Sequence, residues 1–258
     1  MQRESATYMF MFAALVSVVC AVFVSGAAVG LADKRQLNAA LDKQRNVLYA
    51  AGLASPEDGL TSDQIIEISE QRIRPVVVDL ASGATVSDVD PASYDMEKDA
   101  AGPNGLEAPP NSSSIKRISK SAVVYEVRDD RDNIEMVVIP IKGYGLWSTL
   151  YGFLALDRDG TTVRGLTYYQ HGETPGLGGE VDNPRWKALW PGRKAYNDSW
   201  EPALTVIKGQ AGPPSSDPYR VDGLSGATIT SRGVSNMLQF WLSEDGFGPY
   251  LKNFRENG

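Results

Sequence analysis

Cysteine and histidine, from which most transition-metal sites are built, are almost absent: the 258 residues include one of each. Cys20 has no partner for an intrachain disulfide, and because it lies in an apolar run we interpret it as a small apolar side chain. His171 has no cysteine or second histidine nearby, so we predict a structural or loop-positioning role for it. The sequence therefore predicts no resident metal centre.

Positive charge is also scarce. Lys and Arg number 25 against 32 Asp and Glu, which gives a formal charge of -7. Nucleic-acid binding needs clustered basic side chains, and no such cluster occurs, so no nucleic-acid partner is predicted. A glycine-rich phosphate loop of the nucleotide-hydrolase or dinucleotide type is missing too, which predicts that NADH does not bind to this chain.

Charged residues are missing altogether from residues 8–32. Because a run of about 20 apolar residues crosses a bilayer core, we predict a single transmembrane helix here, between an N-terminal tail (1–7) and a globular domain (33–258). A cleavable signal peptide is the alternative, since small residues precede Asp33. Its apolar region would be far longer than the usual stretch of about 7 to 15 residues.

The domain is predicted to have an α+β fold, with helices packed on one antiparallel sheet. Helical spacing continues from the membrane segment to Gly52 and recurs at 62–72, where Thr61 and Gln64 form a capping box. Residues 86–114 are rich in Asp, Ser, Pro, Ala and Asn, which predicts a long surface excursion with a short helix at 92–101. Strands are predicted at 74–80, 122–127, 134–141, 149–157, 162–169 and 203–207, and a further short helix at 186–190.

The segment most informative about chemistry is Asp222-Gly-Leu-Ser-Gly-Ala-Thr228, which runs into a predicted amphipathic helix over 230–242. Gly223 and Gly226 allow a tight loop that presents the Thr228 hydroxyl. The free N–H groups and the dipole of the following helix favour an anion beside that hydroxyl. The pattern predicts a phosphate site.

The same pattern occurs a second time, at Asp79-Leu-Ala-Ser-Gly-Ala-Thr85. Here a β-branched run precedes the motif, and residues 81–84 are predicted to turn back into a second strand. Ser87, Asp88 and Pro91 exclude an amphipathic helix after Thr85. A phosphate at Thr85 would lack helix amides, so the prediction favours Thr228.

The pattern Asp-x-x-(Ser/Thr)-Gly-Ala-Thr resembles the flavinylation motif of the FMN-binding domain family, in which a dedicated flavin transferase joins FMN through its phosphate to the final threonine. Residues 145–156 and 171–180 resemble the other signatures of the C subunits of sodium-translocating NADH:quinone reductases. With the membrane segment, the similarity covers nearly the whole chain. The resemblance implies covalent FMN on Thr228, other membrane subunits as partners, and a place in the bacterial inner membrane.

Three segments are predicted to converge on the flavin. The motif contributes Asp222, Ser225, Gly226, Ala227 and Thr228, with Asp222 also as a transient metal contact during attachment. The loop from Glu173 to Gly178 contributes its backbone, and the predicted contacts there are Glu173, Thr174, Gly176, Leu177 and Gly178. Trp147 and Lys208 complete the set of candidates.

Each of these assignments has a simpler alternative. The 173–178 loop fits an ordinary strand-to-helix connection. Trp147 fits a core or strand-packing residue, and Lys208 a solvated surface lysine. Thr228 fits a residue that merely caps a helix.

Three functions follow from these interpretations. The first is a membrane-anchored FMN electron carrier within the sodium-pumping quinone reductase. The second is the corresponding G subunit of the Rnf electron-transport complex, which shares motif and topology. The third is a flavin-free, membrane-tethered binding or assembly protein. The chain length, the 86–114 excursion and the Trp147 and His171 segments favour the first.

The orientation in the membrane is predicted differently by two arguments. Arg3 is balanced by Glu4, whereas Lys34, Arg35 and Lys43 follow the membrane segment, so charge counting places the domain in the cytoplasm. The resemblance implies a periplasmic domain. Because long domains cross largely regardless of flanking charge, the periplasmic prediction is preferred.

Overall fold

A computed structural model describes residues 5–257, without the side chains of Gln36 and Asn257. The chain divides into two compact units, Met1–Asp42 and Lys43–Gly258. Residues 1–4 of the predicted N-terminal tail, including Arg3 and Glu4, lie outside the described residues.

The first unit contains helix α1 (Ala6–Gly30), which carries no charge and buries none of its residues. The side chain of Ser5 caps it by accepting a hydrogen bond from the amide of Tyr8 at 3.2 Å. Its 25 residues span about 37 Å at 1.5 Å per residue, enough to cross a hydrocarbon core of about 30 Å. Among the described residues, α1 is the one helix long and apolar enough to span a membrane.

Helix α2 (Ala32–Ala51) follows after Leu31 and ends at Gly52, whose φ of +69° suits a glycine at a helix C-terminus. The prediction of helical structure up to Gly52 is therefore confirmed. Within the second unit, Val47, Ala50 and Ala51 at the end of this helix are buried in the core.

The second unit is built on a five-stranded antiparallel sheet with the order β1-β4-β5-β6-β7. Two short pairs, β2–β3 and β8–β9, lie outside it, and the second of these is parallel. The predicted strand at 203–207 is thus much shorter in the structure and pairs outside the main sheet. The strands are β1 (Ile73–Asp79), β2 (Leu106–Glu107), β3 (Arg117–Ile118), β4 (Ser121–Arg128), β5 (Ile134–Tyr144), β6 (Thr149–Asp157), β7 (Val163–Gln170), β8 (Thr205–Val206) and β9 (Arg220–Val221).

Side chains alternate between the two faces of the sheet, and each face has its own core. Val137 and Ile139 of β5 face a large cluster that includes Trp241 and Leu238 from the C-terminal helices. Met136 and Val138 face the smaller cluster with the end of α2. The α+β prediction, with helices on an antiparallel sheet, is confirmed, although both faces are covered. The remaining helices are α3 (Ser62–Arg72), α4 (Met96–Ala101), α5 (Pro184–Lys187), α6 (Thr228–Leu242) and α7 (Gly248–Asn257).

Helix α6 lies against the end of β5, and two glycines allow the close approach. A Cβ atom at Gly143 would lie 2.6 Å from the Cβ atom of Met237, and one at Gly233 would lie 3.0 Å from the Cα atom of Gly145. Trp241 adds a hydrogen bond from its Nε1 to the carbonyl of Lys142 at 2.7 Å. The second turn of α6 is therefore held beside the turn that joins β5 to β6.

The segment 86–114 is long but tied to the domain. Arg117 donates to the carbonyl oxygens of Ala100 and Gly105, and the hydroxyl of Tyr94 donates to the carbonyl of Ser121 at 3.0 Å. The segment forms a helix over Met96–Ala101, inside the predicted range of 92–101.

The predicted helix at 186–190 is misplaced. Helix α5 begins at Pro184, after the Asn183 side chain caps the amide of Arg185 at 2.9 Å, and ends at Lys187. The proline belongs to the first turn because its missing N–H group is not needed there.

Candidate functional site

Thr228 is the first residue of α6, two positions earlier than the predicted start at Thr230. Gly226 has a φ of +69°, which turns the chain into the helix, and the amide of Leu224 donates to the hydroxyl of Ser231 at 3.0 Å. Leu224 and Ala227 are buried, whereas Ser225, Gly226 and Thr228 are exposed. The loop is thus held by its buried residues, and Thr228 is exposed.

The start of α6 is suited to an anion. Ala227 occupies the N-cap position and offers no side-chain hydrogen bond to the first turn, and that turn contains no acidic residue. The first N–H groups of a helix have no partner within the helix, and the helix dipole is positive at this end. A phosphate beside Thr228 would meet both conditions.

A cleft of about 770 Å³ opens beside Thr228. Lys208, which is exposed, and Arg232, one helical turn after Thr228, bring positive charge to its wall. Arg232 was missed by the sequence prediction, although its i+4 spacing from Thr228 places both on the same helix face. The cleft is lined by residues 205–210, residues 222–226, Thr228, Ser231, Arg232, Ser235 and Asn236.

Asp222 fixes the position of the loop. Its backbone carbonyl accepts a hydrogen bond from Nε1 of Trp186 at 2.9 Å, and its Oδ1 accepts one from the amide of Ala211 at 2.9 Å. Within 5–257, no group of three or more His, Cys, Asp or Glu side chains is placed to hold a metal ion. Asp222 therefore offers one ligand, and the others would have to come from elsewhere.

The loop after β7 places Leu177 next to the motif. A Cβ atom at Gly226 would lie 2.9 Å from Cδ2 of Leu177. Thr174 closes the loop, because its carbonyl accepts the amides of Leu177 at 3.1 Å and Gly179 at 2.9 Å, and Gly176 supports it with a φ of +76°. Thr174, Gly176 and Leu177 are exposed, so this loop presents its outer surface beside Thr228.

Glu173 and Gly178 face the opposite way and are buried. Oε1 of Glu173 accepts the amides of Trp147 at 2.9 Å and Ser148 at 3.1 Å, and Oε2 accepts the hydroxyl of Thr230 at 2.6 Å. Burial of Glu173 opposes its ionisation, but the hydrogen bond from Thr230 and those from the backbone outweigh burial, so the pKa is lowered. Glu173 is therefore an ionised, internally bonded side chain.

Trp147 is 65% exposed, which excludes the alternative of a core tryptophan. It lies in the turn between β5 and β6, where the amide of Gly145 donates to the carbonyl of Ser148 at 2.8 Å. Of the six large apolar side chains exposed among the described residues after 43, five lie at the turn after β5, in the 173–178 loop or in the first turn of α6. These five are Tyr144, Leu146, Trp147, Leu177 and Ile229.

His171 lies at the base of the 173–178 loop. Its Nε2 is 2.7 Å from Oδ2 of Asp182, and its Nδ1 accepts the amide of Glu173 at 3.2 Å. The two contacts together place the proton on Nε2. The geometry fits the loop-positioning role predicted for His171.

Thr85 has none of the surroundings of Thr228. It forms an isolated antiparallel bridge with Val78, and the next helix begins only at Met96. Gly83 is enclosed, because a Cβ atom there would lie 2.5 Å from the backbone nitrogen of Tyr250. The turn at 81–84 is as predicted, but the predicted second strand is only this single bridge, and no helix amides follow Thr85.

A threonine hydroxyl at the uncapped start of a helix, with an exposed aromatic turn and a glycine loop beside it, defines a domain of the FMN-binding class, and the FMN-binding domain family matches residues 145–243. The C subunit of the Na(+)-translocating NADH-quinone reductase of Pseudomonas aeruginosa is 47% identical over 258 residues, which cover 98% of each chain. The protein of the same name from Yersinia pestis is 46% identical over 94% of this chain and 90% of its own length. The chain belongs to this family of reductase C subunits.

The solved structures agree. The crystal structure of Shewanella oneidensis NqrC matches with a TM-score of 0.75 and 32% identity, over 83% of this chain and 96% of that one. The resemblance found in the sequence is confirmed, and between the two redox complexes considered there, the quinone reductase is the one that the relatives support.

Proposed function

We propose that this chain is the membrane-anchored electron-transfer subunit of a Na+-translocating NADH-quinone reductase, with FMN esterified through its phosphate to Thr228. The observation that carries the proposal is an exposed threonine, Thr228, at the first position of a helix whose N-cap provides no side-chain bond. The matched FMN-binding domain, residues 145–243, includes Thr228 and leaves out Thr85.

The residues around Thr228 fit an esterified flavin nucleotide. The first-turn amides of α6, with Lys208 and Arg232 on the cleft wall, would neutralise the phosphate. Trp147 and Leu177 offer exposed apolar surface to a planar ring, and the backbone of Thr174 and Gly176 lies beside them. When bound, FMN supplies the capacity to accept and release electrons, and the protein supplies position and electrostatic environment.

Attachment would be catalysed by a flavin transferase acting on the exposed hydroxyl. The Thr228 oxygen forms a new bond to phosphorus and gives up its proton, while the bond between that phosphorus and the leaving group of an activated flavin nucleotide breaks. A divalent ion would neutralise charge during this transfer, and Asp222 would contribute one ligand to it. The finished ester keeps the cofactor from being diluted away outside the cytoplasm.

The domain is proposed to lie in the periplasm of a bacterial inner membrane, anchored by α1. The charges after α1 argue against this orientation, but a domain of this length crosses a membrane largely regardless of flanking charge. An alkaline phosphatase fusion at the C-terminus should be active. A fusion that is active only with a cytoplasmic reporter would contradict the orientation.

The attachment site is tested by mass spectrometry of the protein purified from its native membranes. The proteolytic peptide that contains Thr228 should carry the mass of FMN less one water, and the peptide that contains Thr85 should be unmodified. A colourless protein with an unmodified Thr228 peptide would overturn the proposal and favour a flavin-free binding or assembly protein.

A further inference from the structure

Glu173 is where the three segments around Thr228 meet. Its carboxylate is bonded to the turn between β5 and β6, through the amides of Leu146, Trp147 and Ser148. It is also bonded to the first turn of α6, through the hydroxyl of Thr230. The third segment is its own loop, which carries Leu177. One side chain therefore links the turn between β5 and β6, the 173–178 loop and the first turn of α6.

The carboxylate is enclosed by backbone on two sides. A Cβ atom at Gly145 would lie 2.6 Å from Oε1 of Glu173, and a Cβ atom at Gly178 would lie 2.6 Å from Oε2. Glu173 is only 5% exposed, whereas Trp147 and Leu177 are 65% and 44% exposed. A flavin lying on these two exposed side chains would have no access to the carboxylate.

We propose that Glu173 is a positioning residue, which holds the Trp147 turn, the Leu177 loop and the start of α6 in one arrangement and so determines how the flavin ring lies, without contacting it. This inference rests on the proposed attachment at Thr228. It differs from the prediction that Glu173 binds the cofactor directly. It also explains why the acidic side chain faces inward, where N–H and O–H donors balance its charge.

Two substitutions separate a positioning role from a direct effect on the flavin. Glu173→Met keeps the approximate volume and removes every acceptor. Glu173→Gln keeps one oxygen, which can still accept the three amides, while its NH2 group can donate to Thr230. If Glu173 positions the loops, Gln should restore most of what Met loses. If its charge acted on the flavin itself, Gln would be as damaging as Met.

The measurement is amide hydrogen exchange of the full-length protein, together with fluorescence anisotropy of the attached flavin. In Glu173→Met, exchange at 146–148 should quicken roughly tenfold or more, as expected when bonds to a charged acceptor are lost. Flavin should still be attached to Thr228, with lower anisotropy because its ring is less well held. Glu180→Met is the matched control, since Glu180 accepts from the side chain of Asn183 in the same segment.

The inference fails if exchange at 146–148 is unchanged in Glu173→Met, or if Glu173→Gln and Glu173→Met lower the flavin anisotropy equally. Should Glu173→Met not fold, Thr230→Val removes only the bond to α6 and Thr230→Ser retains it. Exchange is also measured in flavin-free Thr228→Ala protein. The effect of Glu173 on exchange at 146–148 can therefore be measured without flavin. If wild-type protein carried no flavin, that finding would contradict the proposed function and not the role of Glu173 in holding these segments.

Discussion

The two copies of the seven-residue motif, Asp79–Thr85 and Asp222–Thr228, each place a glycine at a positive φ, and they differ in their hydrogen bonds and surroundings. Gly83 and Gly226 have φ angles of +68° and +69°. The carbonyl of Asp79 accepts the amide of Gly83 at 2.8 Å, whereas in the second copy the carbonyl of Leu224 accepts the amide of Ala227 at 3.1 Å. Thr85 makes a single bridge, whereas Thr228 begins a 15-residue helix, and that helix is the feature that favours an anion beside the second copy.

The first residue of each copy shows the same contrast. Asp79 closes its own turn, because its Oδ1 accepts hydrogen bonds from the amide of Ser82 at 2.9 Å and from the hydroxyl of Ser82 at 2.8 Å. Asp222 accepts the amide of Ala211, eleven residues away, and Ser225 stays exposed. In the first copy the polar groups satisfy each other. In the second, Asp222 is bonded to a residue outside the motif.

The comparison predicts its largest effect at the two threonines. Thr228→Ala should abolish covalent flavin, seen as loss of the fluorescent band on a denaturing gel, because the attacking oxygen is gone. Thr85→Ala should leave the band at full intensity. Thr228→Ser keeps a hydroxyl at the same helix position and should retain part of it. Loss of the band in Thr85→Ala alone would reverse the assignment of the two copies.

A smaller effect is expected at the two aspartates. Asp222→Asn should slow flavin attachment by about 10- to 100-fold, the size expected when one ligand or its immediate partner is lost at a metal-assisted step. Asp79→Asn should leave attachment unchanged. The rate is followed as incorporation of flavin into transferase-free protein after the transferase is added. Equal rates for wild type and Asp222→Asn would exclude the role as a metal ligand.

The long helices and strands could be predicted because the spacing of apolar residues within each one shows which of its faces is buried. The strand at 149–157 has the predicted bounds, and α6 has its apolar residues at the predicted spacing. The predicted strand at 203–207 is too long and β9 is not predicted, because two paired residues leave too little alternation to detect. The predicted helix at 186–190 is displaced because the apolar tryptophans mark a buried face, whereas the Asn183 cap sets where the helix begins.

Those parts of the candidate site that consist of consecutive residues could be predicted from the sequence. The motif, the 173–178 loop and Trp147 were each visible as segments, and the structure brings them together. The inward direction of Glu173 could not be foreseen, since its partners are 25 to 57 residues away in sequence. Arg232 was visible in principle, because a basic residue one turn after an anion-binding position shares its helix face.

The two glycines give a third test, on stability. Gly83→Ala would press a Cβ atom against the backbone of Pro249 and Tyr250 at a positive φ, so we expect a loss of about 3 kcal/mol in the free energy of unfolding. Gly226→Ala meets only the flexible end of Leu177, so a loss of about 1 kcal/mol is expected. Urea denaturation of flavin-free Thr228→Ala protein measures both. Equal losses of stability in the two variants would show that the positive φ accounts for the destabilisation and that the neighbouring atoms add nothing.

The smallest effect concerns the charge of Asp79. The hydrogen bonds from the side chain and the amide of Ser82 lower the pKa of Asp79 below its unfolded value of about 3.9. A carboxyl with a lowered pKa stabilises the fold above the unfolded pKa, and this contribution is lost as the pH falls through the folded pKa. Asp79→Asn should therefore be less stable than wild type at pH 7, by less than about 1 kcal/mol, the size of one hydrogen bond.

The difference between Asp79→Asn and wild type should shrink as the pH is lowered below about 4, because protonation removes the same charge from the wild type. Urea titrations from pH 7 to the acid limit of folding measure it. Taking the difference between the two proteins cancels the contribution of the other carboxylates. If the difference in the free energy of unfolding stayed constant across this pH range, the charge of Asp79 would not contribute to its interaction with Ser82. The contrast between Asp79 and Asp222 would then rest on the geometry of their hydrogen bonds and not on charge.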